Sequence, residues 1–182
     1  GIVARLREAA LFGHNLQLRR TITLPIGESE MIVEDEVTNQ SPAPAEFMLL
    51  YHLNFGYPFL SDQLALQAPA GTVTTPRTER AAEGMDEVFS FCEPEDEFAE
   101  QVYFRDIPAA RGMASIRAVN GELGIGAKLQ YSKDTLPVLV QWKSMQSGDY
   151  ALGLEPSNSY IAGRAAERES GTLPVIWGFE TV

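Results

Sequence analysis

Period-two alternation is clearest in the segment Leu16-Gln-Leu-Arg-Arg-Thr-Ile-Thr-Leu24, where apolar residues alternate with polar ones except at Arg20. Successive side chains of a β-strand point to opposite faces, so this pattern predicts a half-buried strand. After a turn at Pro25-Ile26-Gly27, apolar residues alternate with glutamates over residues 31–37. The two segments therefore predict a β-hairpin with one charged face.

The alternation recurs in the C-terminal half of the chain, where turn signals such as Asn120-Gly121 and Ser147-Gly148 separate the segments. The further predicted strands are residues 101–104, 113–119, 123–131, 138–143, 150–154 and 175–179. This punctuation is typical of antiparallel sheets in a sandwich or barrel. We predict an all-β antiparallel fold in a single domain spanning residues 1–182.

Three segments depart from the alternation. Residues 45–55 are almost continuously apolar and predict a central strand covered on both faces. Residues 5–12 predict a short helix. Residues 80–100 contain eight acidic residues and no basic residue after Arg80, which predicts a long solvated loop. A calcium site is the alternative for this loop, although the ligand spacing of an EF-hand is absent.

Charge and composition exclude several classes of partner. The chain has 25 acidic and 14 basic residues, and its formal net charge of −11 disfavours nucleic acids and anionic membranes. No apolar run approaches the roughly 20 residues needed to cross a bilayer, and residues 1–13 lack the apolar block of a secretory signal. We expect a cytoplasmic protein. One cysteine and two histidines cannot form an internal disulfide or a Cys/His zinc site, so no metal is expected.

The familiar catalytic motifs are absent. The sequence contains no Gly-x-x-x-x-Gly-Lys-Ser/Thr phosphate loop, no Gly-x-Gly-x-x-Gly fingerprint after a strand, no Gly-x-Ser-x-Gly elbow and no His-Glu-x-x-His pair. Nucleotide hydrolysis, dinucleotide redox chemistry and serine hydrolysis therefore have no support.

A histidine stands near the end of an apolar strand in Leu50-Tyr-His-Leu-Asn-Phe-Gly56. Alternation places His52 and Asn54 on one face, where a titratable group and an amide lie side by side. The turn at residues 56–58 then stops the strand, so both lie near a sheet rim that a ligand can reach. The alternative is a core histidine that is hydrogen-bonded to a backbone carbonyl.

A carboxylate stands at a predicted strand end in Gly153-Leu-Glu-Pro-Ser-Asn158. We expect Pro156 to end the strand pairing and to leave Asn158 in a turn beside Glu155. A partly buried glutamate at such a position has a raised pKa, which suits proton transfer. The alternative is an exposed glutamate before a turn.

The tripeptide Gln141-Trp142-Lys143 offers an amide, an aromatic face and a cation, which are groups that sugar sites use. Alternation sends Gln141 and Lys143 to one face and Trp142 to the other, so only one of these sets lines a given pocket. The alternative is Trp142 in the core and Lys143 on the surface.

Taken together, these motifs resemble the aldose 1-epimerase (galactose mutarotase) superfamily, and most closely its uncharacterised aldose-epimerase-like branch. The resemblance spans most of the chain and rests on the order and spacing of segments that are individually weak. They are Leu18-Arg-Arg-Thr-Ile22, Val37-Thr-Asn39, residues 51–58, Glu100-Gln-Val102, Leu136-Pro137, Gln141-Trp-Lys143 and Gly153-Leu-Glu-Pro-Ser-Asn158.

The resemblance implies a galactose mutarotase-like β-supersandwich that binds a small-molecule sugar, a hexose or a derivative, on a concave face. It implies that His52 is the general acid on the ring oxygen and that Glu155 is the general base on the anomeric hydroxyl. We expect the two groups on opposite sides of one hollow, with no metal or organic cofactor because paired proton transfer supplies the chemistry. The assigned substrate-binding residues are Asn54, Gln141, Lys143 and Asn158.

Family members are longer, and sugar-contacting residues, including an arginine and another histidine, precede their His52-type strand. We therefore expect a domain that is incomplete at both ends, either as a fragment or as a shortened protein, and exposed strand edges favour a homodimer. Two other functions stay open. One is a carbohydrate-binding or regulatory module without turnover, and the other is a structural domain in which His52 and Glu155 lie far apart.

Overall fold

A computed structural model describes all residues, 1–182, and every pair of strands in its sheets is antiparallel. The strands are β1 (Ile2–Ala9), β2 (Asn15–Thr23), β3 (Ile32–Asn39), β4 (Ala45–Glu46), β5 (Leu53–Phe55), β6 (Leu64–Gln67), β7 (Val73–Pro76), β8 (Gln101–Asp106), β9 (Met113–Asn120), β10 (Ile125–Ser132), β11 (Val138–Gln146), β12 (Asp149–Ser157) and β13 (Val175–Ile176). The helices are α1 (Glu79–Glu83) and α2 (Arg164–Glu169), and a 3₁₀ turn spans Met85–Glu87. Neither helix is long and apolar enough to cross a membrane. The predicted all-β antiparallel fold is confirmed.

The chain divides into two compact units. The first consists of Gly1–Met48 and Arg168–Val182, and it contains the sheet β1-β2-β3 and the pair β4-β13. The predicted hairpin is confirmed, because β2 pairs with β3 from Leu16 opposite Asn39 to Thr23 opposite Ile32. The buried core of this unit consists of Leu16, Val37, Ala45 and Ile176.

The second unit, Leu49–Glu167, is a sandwich of two sheets. Its larger sheet has the strand order β5-β12-β11-β8-β7, and its smaller sheet has the order β10-β9-β6. The main apolar core lies between them and includes Leu139 and Leu154 of the larger sheet and Leu66 and Ile116 of the smaller one. The prediction of one domain for residues 1–182 stays a prediction.

The larger sheet has two chemically different faces, because side chains alternate along each strand. The core face packs toward the smaller sheet; it carries Leu139, Gln141, Lys143, Leu152 and Leu154. The front face points the other way and has its own apolar cluster; it carries Val102, Val140, Trp142, Gly153 and Glu155.

The predicted helix at residues 5–12 is wrong. Residues 5–9 belong to β1 and residues 10–12 to the turn that follows, and β1 pairs with β2 along its whole length, from Ile2 opposite Ile22 to Ala9 opposite Asn15. Pairing with a long neighbouring strand overrides a weak helical pattern, because each added residue gains a ladder hydrogen bond.

The single strand predicted over residues 45–55 is also wrong. Its two ends form separate strands, since β4 pairs with β13 in the first unit and β5 pairs with β12 in the second. An apolar run marks burial, but periodicity cannot reveal where such a run changes partners.

Residues 80–100 are not the solvated loop that their acidity predicts. Thr78 caps α1 by accepting a hydrogen bond from the Ala81 amide, and Ala81, Val88 and Phe91 are buried. Three of the acidic residues lie between these apolar anchors and five follow Phe91, and all eight are exposed, so the segment lies along the molecule with its charges outward.

Candidate functional site

His52 and Glu155 lie close together because β5 pairs with β12. Leu53 lies opposite Leu154 and Asn54 lies opposite Gly153, so the next step of the same register places His52 opposite Glu155. The chain before His52 is also fixed, since the Leu49 amide donates to the Asn158 side chain at 2.8 Å. Two residues that are about a hundred positions apart in sequence therefore become neighbours on the front face.

The imidazole and the carboxylate are in direct contact. His52 Nε2 lies 3.0 Å from Glu155 Oε1, and the two side chains are 48% and 5% exposed. The approach does not satisfy hydrogen-bond geometry, so Oε1 is a buried oxygen without a hydrogen-bond partner. The prediction that folding brings the pair together agrees with this contact. The expected hollow between the two groups is wrong, because they touch.

The pKa of Glu155 is raised above its ordinary value. Burial is the main cause, because a desolvated carboxylate loses its hydration. The nearby His52 acts in the opposite direction, and the negative charge of Glu100 adds to the increase. A carboxyl with a raised pKa exchanges protons closer to neutral pH than an exposed one does.

Gly153 makes room for the carboxylate. A Cβ placed on Gly153 would collide with Glu155 Oε1 and would lie 3.2 Å from the Cβ of Trp142. The Glu155 side chain therefore folds back over the backbone of its own strand. Any larger residue at position 153 displaces the oxygen that contacts His52.

Two further side chains border the pair on the front face. Trp142 lies opposite Gly153, and its indole centroid is 6.0 Å from the His52 ring with an interplanar angle of 62°. Its Nε1 donates a hydrogen bond of 2.6 Å to Glu100 Oε2. Asn54 lies on the other side of Gly153 and is exposed. The arrangement combines an aromatic face, an amide and a proton-exchanging pair.

The structure does not bring Gln141 and Lys143 to this face. Both lie on the core face at 0% and 2% exposure. Gln141 donates to the Val88 carbonyl and accepts from Arg105 Nε, and Lys143 Nζ donates to the carbonyls of Glu87 and Ser90. These contacts fasten residues 84–91 to the sheet.

Asn158 is a framework contact in this structure. It is buried, its side-chain oxygen accepts a hydrogen bond from the Leu49 backbone amide, and its backbone amide donates to the Leu49 carbonyl. Contrary to the prediction, Pro156 does not end the strand pairing, because β12 continues to Ser157 and Pro156 lies opposite Leu139. The Pro156 carbonyl accepts from the Tyr51 amide, so the missing N–H falls on the side away from β11.

No group of three or more His, Cys, Asp or Glu side chains is arranged to hold a metal ion. The front face carries an imidazole, a carboxylate, an amide and an indole.

The sequence model of one protein family, a domain of unknown function called DUF4432, matches residues 1–181. The chain belongs to the DUF4432 family. No functionally curated protein matches the sequence.

Two solved structures share the fold of this DUF4432 chain. A putative aldose 1-epimerase from Klebsiella pneumoniae has a TM-score of 0.93 at 24% identity, and the match covers 99% of this chain and 47% of that one. The protein Slr1438 from Synechocystis has a TM-score of 0.64 at 17% identity, with coverages of 98% and 57%. The chain thus spans about half the length of these proteins. At these identities the likeness establishes the fold, which is the fold that the resemblance to the aldose 1-epimerase superfamily implied.

Three residues of the candidate site were not assigned to it from the sequence: Glu100, Trp142 and Gly153. Trp142 was considered for a pocket, but its face could not be matched to that of His52 without the strand register. Glu100 was hidden among the acidic residues of a predicted loop. Glycine before a Leu-Glu pair is a weak signal by itself.

Proposed function

We propose that this domain is an aldose 1-epimerase-like isomerase in which His52 and Glu155 exchange protons with a sugar. The observation that carries the proposal is the 3.0 Å contact between a half-exposed imidazole and a buried carboxylate. Imidazole is the side chain best suited to proton transfer near neutral pH, and a desolvated carboxylate complements it.

The reaction requires two proton transfers. His52 donates a proton to the ring oxygen while Glu155 removes the proton of the anomeric hydroxyl. The bond between C1 and the ring oxygen breaks, and the C1 carbonyl forms. After rotation about C1–C2 the ring closes on the other face, and both protons return along the reverse path.

The contact between the two groups supports this scheme in a second way. If an open-chain sugar leaves before the ring closes, the proton on Glu155 can pass directly to His52 across the 3.0 Å contact. Direct transfer requires hydrogen-bond reach, which the distance provides once the imidazole turns into line with the carboxylate. Glu155 Oε1 is buried without a hydrogen-bond partner, so movement of the His52 imidazole would free an acceptor for a sugar hydroxyl.

Saturation-transfer NMR on the anomers of D-glucose and D-galactose tests the proposal. We expect anomer exchange above the buffer rate for the unmodified protein. We expect a loss of about a hundredfold or more in His52→Ala and in Glu155→Gln. Exchange at the buffer rate with both sugars, or full activity in either variant, would contradict the assignment.

A second candidate is a carbohydrate-binding module without turnover. The observation that favours it is the closed contact of His52 with Glu155, whose side chain is only 5% exposed. Calorimetric binding of either sugar without anomer exchange would select this function.

A further inference from the structure

Trp142 is held at one end by a carboxylate that lies outside the proton-exchanging pair. Its indole Nε1 donates to Glu100 Oε2 at 2.6 Å, which is the short distance typical of a charge-assisted hydrogen bond. Glu100 directly precedes β8, and Gln101, the first residue of that strand, pairs with Lys143. The acceptor is therefore fixed by the sheet itself.

The indole lies beside the His52 and Glu155 side chains. On one side Trp142 packs against Val102 and Val140 of the front-face cluster. On the other side its strand neighbour is Gly153, which has no side chain to separate the indole from the Glu155 carboxylate. The tilt of 62° toward His52 follows from this packing and from the bond to Glu100.

We propose that Trp142 is the aromatic wall of the sugar site and that Glu100 is a positioning residue that holds the indole beside His52 and Glu155. This inference rests on the proposed function. A pyranose has an apolar C–H face, which packs on the indole, and a rim of hydroxyls, which then lies toward the proton-exchanging pair and Asn54. Without Glu100 the indole keeps its contacts with the front-face apolar cluster but loses the hydrogen bond that sets its orientation.

Glu100 also acts on the pair through its charge. The groups that affect the ionisation of Glu155 are His52, which favours the carboxylate, and Glu100, which disfavours it. Two substitutions separate orientation from charge. Glu100→Gln retains an oxygen that accepts from the indole but loses the charge, and Glu100→Ala loses both.

The first test needs no sugar. The chain has two tryptophans, and Trp177→Phe leaves Trp142 as the sole indole emitter. Indole emission responds to the charge of a neighbouring group, so emission followed against pH reports the ionisation of the Glu155 carboxyl. Asp96→Ala, an exposed residue of the same acidic segment, is the matched control.

In the Trp177→Phe background we expect a pH transition in Trp142 emission. Glu100→Gln should move its midpoint to lower pH, because a negative charge near Glu155 is lost. Glu100→Ala should show the same direction of shift and in addition a smaller amplitude. Midpoints and amplitudes equal to those of Asp96→Ala in both variants would overturn the inference.

The second test uses anomer exchange of D-glucose and D-galactose. Trp142→Leu should raise KM about five- to tenfold with a smaller change in kcat, while Trp142→Phe stays within about twofold of the unmodified protein. Glu100→Ala should raise KM, and Glu100→Gln should retain it. Unchanged KM in Trp142→Leu and Glu100→Ala would overturn the role of the aromatic wall.

The proposed function and the positioning role of Glu100 would fail in different experiments. Failure of the proposed function appears as buffer-rate exchange in the unmodified protein. Failure of the positioning role appears as an unmoved fluorescence transition in the Glu100 variants, which is measured whether or not a sugar turns over.

Discussion

The two faces of the five-stranded sheet both carry polar side chains among apolar neighbours, but these polar groups are hydrogen-bonded to different extents. On the core face, Arg105 donates to Gln141, Thr74 and the Val88 carbonyl and stacks against Phe89 at 4.4 Å. On the front face, Glu155 keeps an oxygen without a hydrogen-bond partner.

This difference separates framework from site. Buried polar groups are normally hydrogen-bonded. A fully satisfied network therefore holds one segment against another and leaves no free donor or acceptor for a ligand. Burial lowers the pKa of Arg105 to about 10 and also lowers that of Lys143, yet both cations are held by fixed acceptors. The incompletely satisfied carboxylate beside a half-exposed imidazole is the arrangement that we propose accepts a substrate.

Breaking the core-face network should have the largest effect on stability. Gln141→Leu leaves the Arg105 Nε–H without an acceptor in a fully buried place and removes one of the two donors to the Val88 carbonyl. We expect the free energy of unfolding to fall by about 2–3 kcal/mol, because unsatisfied buried groups lose their hydration without compensation. Urea unfolding measures this change.

Anomer exchange per folded molecule should remain within about twofold in Gln141→Leu, since one framework substitution leaves the front-face register intact. A raised KM at unchanged stability would instead return Gln141 to the substrate-binding role first predicted for it. The comparison of the two faces would then be wrong.

A smaller effect is expected when the front face is changed without removing either reacting group. Gly153→Ala places a Cβ where Glu155 Oε1 lies, and the flexible carboxylate must move. Misplacing a reacting group by about 1 Å can cost about tenfold to a hundredfold in rate. We expect a loss of that size in anomer exchange, measured by saturation-transfer NMR.

Gly56→Ala is the matched control, because its Cβ would meet only the Tyr150 carbonyl at 3.9 Å. We expect the unfolding free energy of Gly153→Ala to fall by about 1 kcal/mol, since the end of the Glu155 side chain has to shift and the Trp142 Cβ, 3.2 Å away, has to yield slightly. Equal exchange rates in the two variants would mean that the position of the Glu155 carboxylate does not matter.

The smallest effect is a pH dependence of stability. A carboxyl whose pKa is raised on folding contributes stability that is present below its unfolded pKa and lost as the pH rises through its folded pKa. Glu155→Gln removes this dependence. The variant should therefore gain stability relative to the unmodified protein as the pH rises from about 4 to about 8.

Urea unfolding at several pH values measures this gain, with the exposed Glu122→Gln as the control. A difference that stays constant with pH, or that falls as the pH rises, would show that burial does not disfavour the Glu155 carboxylate.

The sequence predicted what depends on local periodicity. The hairpin of β2 and β3 and the separate strands β11 and β12 were predicted from alternation, since a period of two needs no knowledge of the partner strand. The pairing of His52 with Glu155 was predicted only through the family resemblance. Alternation fixed the side of each strand on which they lie but not which strands are neighbours.

The rest depends on contacts between distant segments. Alternation correctly separated Trp142 from Gln141 and Lys143, but only the second sheet, packed against the core face, decides which of these sets is buried. The capped helix α1 was not predicted, because eight acidic residues dominate the composition of this segment over the few apolar residues that are buried.

The most direct measurement of the central claim is an NMR titration of the isotope-labelled protein with D-glucose and D-galactose. If the front face is the site, the signals of the His52 imidazole and the Trp142 indole N–H shift with added sugar, and the Gln141 side-chain amide does not. Shifts at Gln141 with unmoved His52 and Trp142 signals, or no shift at any of the three, would contradict the account.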